Sequence, residues 1–258
     1  MDDATGCSNC GRDIDVPGQK FCPDCGQPTP AHRIDWHFLG HELEHSVLHM
    51  DRGILYSLKN LMLRPGHFVR DYIEGRRANH VKPLLLIMMT AAIVVVLSKY
   101  LNDGDVMNTA MIADAARASG DQDSLRVAKI YAAIGEWMNQ HFAVSTLILI
   151  PLEALAFRLA FWRSGNLNYP EWLLITAFLT VQTFVLWALS LPLHRSHPSA
   201  MGWVLLASVI YAVFTLIQFF RDQPRWKITL RTLAGFGLFF VSQWVVMLVI
   251  TISVVVLG

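Results

Sequence analysis

A chain of 258 residues that is 53% hydrophobic and only 16% charged, with a mean hydropathy of +0.39, holds far more apolar surface than a soluble domain of this size needs for its core. The formal net charge is +1, and no Lys/Arg tract is interleaved with aromatics, which argues against a nucleic-acid groove. The expected fold class is an all-α polytopic membrane protein with small appendages at its N-terminal end.

The opening MDDATGCSNCGRD is acidic and polar and lacks the basic and apolar regions of a secretory signal, so this end is expected to stay in the compartment where it is made. All four cysteines then arrive as Cys7-x-x-Cys10 and Cys22-x-x-Cys25, with eleven residues between the pairs. Glycine follows each pair (Gly11, Gly26), where a tight turn lets backbone N–H groups point at sulfur. The spacing predicts a zinc ribbon over residues 1–28, the alternative being two disulfides in an exported segment. Four thiolates leave no open coordination position, so this zinc is expected to be structural, and its binding to supply most of the module's folding free energy.

Residues 29–82 are expected to form cytoplasmic amphipathic helices ending in a basic juxtamembrane segment. Trp36, Leu39, Leu43, Val47 and Met50 fall on one helical face, and His37, His41, His45 and His49 run down the other at a spacing of four. Within this stretch HELEH has the form H-E-x-x-H, in which His41 and His45 hold a zinc ion and Glu42 activates water. Against hydrolysis, Leu48 replaces the glycine of the extended pattern, Asp51 or Glu74 would have to act as third ligand, and Glu44 adds a charge between the histidines. A solvated face is the plainer reading; a second zinc on His41 and His45 is the alternative. Next come an amphipathic helix over 53–63, a stop at Arg64-Pro65-Gly66, and a short helix ending at Gly75. Arg64, Arg70, Arg76, Arg77 and Lys82 form a cluster suited to anionic lipid headgroups, with Asp71 and Glu74 available for local pairing.

Five apolar runs of membrane-spanning length follow, at 84–100, 142–162, 172–192, 201–220 and 233–258, within a transmembrane domain over 83–258. The basic cluster before the first run, Arg163 after the second, and Arg221, Arg225, Lys227 and Arg231 between the fourth and fifth belong on the cytoplasmic side. The loop 101–141 carries six acidic side chains from Asp103 to Glu136, which suits the external side, and its apolar spacings predict helices in MNTAMIADAARA and SLRVAKIYAAIGEWM. Five spans then put the N-terminus inside, where thiolates stay reduced, and the C-terminus outside. Within the runs, Glu153, Gln182 and Gln243 are the polar side chains to explain, as helix-joining contacts or as a proton-linked or substrate-lining site with Arg158 as partner.

The succession from Asp35 to Pro83, behind a CxxC…CPxCG ribbon and ahead of a multi-pass region, resembles a large bacterial family known only as a domain of unknown function. Its strongest matches are Asp51-x-Gly53, Leu61 to Arg64-Pro65-Gly66, Asp71-Tyr72-Ile73-Glu74-Gly75-Arg76-Arg77 and Lys82-Pro83. Tyr169-Pro170-Glu171-Trp172 stands where such proteins carry Tyr-x-Glu-His, with Trp172 departing from the pattern. The resemblance covers the first third of the chain specifically; it implies a polytopic inner-membrane protein with no established activity and no evident need for HELEH. The expected function is a non-enzymatic inner-membrane component, transporter-like or serving envelope assembly. Its expected partners are membrane lipids and a cytoplasmic protein docked on the ribbon, with homo-oligomer formation open. The alternative is a membrane-tethered zinc metalloprotease using His41, Glu42 and His45.

Overall fold

The computed structural model describes residues 6–14, 19–45, 53–102, 104–106, 122–162, 164–194 and 200–257. Among the described residues the regular elements are nine helices: α1 Trp36–His45, α2 Ile54–Leu63, α3 Pro65–Ile73, α4 Pro83–Leu101, α5 Gln122–Gln140, α6 Phe142–Ala160, α7 Tyr169–His194, α8 Ala200–Phe219 and α9 Arg225–Leu257. Among the described residues the only β-pairing consists of two isolated bridges in the cysteine-bearing module, Gly6 with Asp13 and Phe21 with Pro28.

Five helices, α4 and α6 to α9, are long and apolar enough to cross a membrane, matching the five expected runs. The centre is α7, 61% of whose apolar window is buried, against 6% for α9. α4, α6 and α8 pack around α7, while α9 lies outside them against α6 and α8. Phe157, Phe161, Trp172 and Phe220 stack where α6, α7 and the end of α8 converge. Trp172, the departure from the resembled histidine, is thus buried core at 1% exposure. At the opposite end Asn139 of α5 donates to Asp105 at 2.9 Å, tying the loop 101–141 across itself. The helix expected over 107–118 lies outside the described residues.

α2 and α3 form a hairpin whose break the sequence encodes twice. Arg64 leaves helical geometry at φ −136°, and Pro65 opens α3 at its first position, where its missing N–H costs nothing. The stop at Arg64-Pro65-Gly66 is therefore also a start. The hairpin does not stand apart from the bundle: α2 and α3 run along α7 and α8, burying Leu61, Phe68, Val69 and Tyr72. The Gln182 amide reaches the Leu61 carbonyl, and the Tyr211 hydroxyl donates to the Met62 carbonyl. Gln182 lies thirteen residues beyond Tyr169, about 20 Å along the axis of α7 at 1.5 Å per residue, so the tip is level with the middle of that helix. Gly66 permits this approach, because a Cβ there would meet the Thr215 carbonyl oxygen at 2.4 Å and the Phe219 nitrogen at 2.6 Å. Its own N–H donates to the Gln218 side chain at 3.1 Å.

Candidate metal centre and its seat on the bundle

Two copies of one turn build the cysteine module. In the first, the Cys7 N–H donates to Arg12 O at 2.7 Å and the Gly11 N–H to Cys7 O at 2.8 Å; in the second, Cys22 pairs with Gln27 O at 2.8 Å and Gly26 with Cys22 O at 2.9 Å. Gly11 and Gly26 take φ of +77° and +72°, the left-handed region that a side chain would strain. Each turn presents its two thiols to the other. The Sγ atoms of Cys7 and Cys25 are 3.6 Å apart, those of Cys10 and Cys22 are 3.5 Å apart, and all four lie within 4.8 Å of one another.

These separations exclude disulfides, which need about 2.05 Å, and fit a metal. Four thiolates at about 2.3 Å around a tetrahedral ion stand roughly 3.8 Å from one another. Cys7, Cys10, Cys22 and Cys25 can therefore hold one ion with every position filled, which provides cross-linking and no site for substrate. The Cys25 amide pulls the Cys22 thiol down to about 7, with help from the Asp24 amide and against burial, so one ligand sheds its proton near neutrality. Cys10 goes the other way: the Arg12 amide favours its thiolate, yet burial and the three neighbouring thiols push it up to about 12. Among the described residues this is the only group of three or more metal-ligating side chains.

The module is fastened to the bundle by specific contacts. The Ser8 hydroxyl donates to Gly75 O at 3.2 Å, and the carbonyl oxygen of the buried Gln27 side chain accepts the Arg77 N–H at 3.0 Å. Gly75 closes α3 at φ +92° and lies against Ala31. Arg33 then grips Glu171 with Nε at 2.7 Å and Nη2 at 2.9 Å, while Nη2 also donates to Asn166 O at 2.6 Å. Glu171 has a second task. Its carboxylate accepts the Asn168 N–H at 2.7 Å and the Asn168 side chain accepts the Glu171 N–H at 2.8 Å, a reciprocal capping box at the start of α7. Asn168 also donates to Ile34 O at 2.7 Å. Asn168-x-x-Glu171 ahead of an apolar run is a signal the sequence carried; its pairing with Arg33, more than 130 residues away, had none.

The expected headgroup residues are placed unequally. Arg76 pairs with Asp71 at 2.6 Å and with Glu74, the local pairing foreseen. Arg70 lies over the Phe219 ring at 5.8 Å, and Arg221 meets His67 Nδ1 at 3.1 Å. Burial, then the Arg221 guanidinium, holds the His67 imidazole below its usual range, and the same two causes lower Arg70. Arg77 donates to Tyr72 O at 2.9 Å and to His32 O at 3.3 Å, with its guanidinium 4.4 Å from the Phe38 ring centre. Lys82 sits immediately before α4, and Arg64 is exposed at the hairpin break.

Glu153, Arg158, Gln182 and Gln243 are not drawn into one cluster. Glu153 meets the Thr180 hydroxyl of α7, Arg158 stands over the Tyr169 ring at 6.0 Å, and no ion pair joins those two among the described residues. Gln182 accepts from Thr215 at 3.1 Å, and the Gln243 amide nitrogen is buried without a partner. HELEH forms the last five residues of α1, but the side chains of His41, Glu42 and His45 lie outside the described residues, as does all of His49.

No curated protein and no solved structure matches this chain. The family model that does match covers α2, α3, the turn beyond them and the first part of α4, so the wedge against α7 and α8 is what the family pattern describes. That match, Protein of unknown function (DUF3667) at residues 51–95, together with the four-cysteine cluster at residues 7–25, fits an uncharacterised family with an N-terminal zinc-binding motif.

Proposed function

We propose that this chain is a non-enzymatic component of a bacterial inner membrane whose zinc ribbon docks a cytoplasmic protein, in envelope assembly or in a transporter-like role. The observation that carries this reading is the clasp of Arg33 on Glu171. The ribbon is not a loosely tethered appendage, because its connector is bonded to the residue that caps the most buried helix of the bundle. A partner bound on the ribbon therefore acts on α7 through an ion pair and two backbone hydrogen bonds. Zinc is the metal proposed because four thiolates in a closed tetrahedral set suit it and give it no catalytic position. The cytoplasmic assignment is supported by the contacts of Arg231 with Ser164 and Gln223, which put the basic start of α9 beside the segment that Arg33 grips.

Phe21, 59% exposed on the second turn, is the outward apolar group available to a partner. A photo-crosslinking amino acid at Phe21, used in living cells, tests the reading. The expected result is a discrete adduct with a soluble protein that disappears in a Cys22→Ser background. Adducts with this chain alone would replace docking by self-association, and no adduct would remove the docking role.

A further inference from the structure

Below the ribbon lies a cleft of about 670 Å³, lined by the second cysteine turn, the connector to α1, the start of α1 and the segment from Tyr72 to Lys82. Its volume falls in the range of about 300–1,000 Å³ typical of small-ligand sites. Two fixed cations, Arg77 and Lys82, line it together with the imidazoles of His32, His37 and His80 and the Phe38 ring. Among the described residues the neighbouring carboxylates have partners of their own: Arg76 pairs with Asp71 and Glu74, and the lining Asp35 accepts the Phe38 N–H at 2.8 Å as cap of α1. Arg77 is held by two carbonyls and a ring face, so a ligand would meet it already in position. His80 packs on Phe68 at 4.4 Å, and its Nδ1 is buried without a hydrogen-bond partner. Burial keeps this imidazole below its ordinary range.

A metal does not suit the cavity. Its three histidines and Asp35 do not converge within ligating distance, since among the described residues only the cysteines form such a group. An anion does suit it, because the Arg77 guanidinium and the Lys82 ammonium recognise a tetrahedral oxyanion by charge-assisted hydrogen bonds, and a neutral imidazole still offers it an N–H donor. Lys82 is also the last residue before a helix able to cross a membrane, which puts the cavity beside the level where lipid phosphates lie.

We propose that this cavity binds a phosphate group, carried by a lipid headgroup or free, between Arg77, Lys82 and the histidines. It narrows the basic cluster from five candidates to the two that share one cleft.

The test uses the full zinc-loaded chain in an uncharged detergent, titrated calorimetrically with dihexanoyl-phosphatidic acid, dihexanoylglycerol and inorganic phosphate. The phosphatidic acid is expected to bind and the phosphate-free diglyceride not to. Lys82→Gln, and Ala78→Trp, which fills the cavity without changing charge, should each weaken binding by about tenfold or more, the worth of one charged hydrogen bond. Arg64→Gln removes the same charge outside the cavity and should leave binding within about twofold. Inorganic phosphate binding as tightly identifies a free-phosphate site, and binding of the amphiphile alone identifies a headgroup site. Equal losses in Arg64→Gln and Lys82→Gln would overturn the proposal in favour of diffuse attraction, and so would equal binding of the diglyceride. Zinc content and melting temperature of each variant separate a lost site from a lost fold.

Discussion

Gly66 leaves no room for a methyl group. With Thr215 O at 2.4 Å and Gln218 Cβ at 2.3 Å from the position a Cβ would take, Gly66→Ala must push α3 off α8. The expected cost is roughly 1–3 kcal/mol, read as a lower melting temperature in detergent. Gly40, inside α1 with open space around it, makes the contrasting case: Gly40→Ala should be neutral or stabilise by about 0.5–1 kcal/mol. Glu171 is the other residue on which much converges. Glu171→Gln weakens its bonds to Arg33 and to the Asn168 N–H together, and since the Arg33 side chain is 61% exposed the expected loss is only about 1–2 kcal/mol. A double-mutant cycle with Arg33→Gln isolates the ion pair; a coupling energy indistinguishable from zero would reduce Glu171 to a helix cap.

At the scale of elements, the ribbon, the hairpin break and the five long helices were all legible in the sequence, because each depends on local spacing or composition. The Cys-x-x-Cys-Gly turns need only their own residues, and Pro65 both ends α2 and begins α3. What covers the apolar face of the α2–α3 hairpin was not legible. A period of three or four identifies the face and says nothing of its partner, so surface helices and a wedge along α7 and α8 read alike. The same limit hid the cavity, whose lining comes from four segments. The attachment of the ribbon yields a prediction at this scale. Metal removal with a chelator should raise hydrogen exchange in 7–35 and in 75–80, which its contacts join, and leave the amides of α7 beyond Phe178 protected. Unchanged exchange at 75–80 would mean that the ribbon is not fastened there.

For the molecule as a whole, number and order of the apolar helices followed from hydropathy, whereas their orientation rests on the sorting of charge alone. The basic loop before α9 meets α3, while Asp105 and Asn139 pair at the far end. Function was less legible, since the intramembrane polar side chains diverge and the headgroup residues divide between local pairs, ring contacts and one cavity. In the proposed function the four cysteines close off one structural ion, and the chain serves assembly or transport rather than hydrolysis. The deciding quantity is zinc per chain in detergent-purified protein, for wild type and for the His41→Ala/His45→Ala double variant. One zinc in both is the expected result. Two in the wild type falling to one in the variant would place a second metal on HELEH and contradict it.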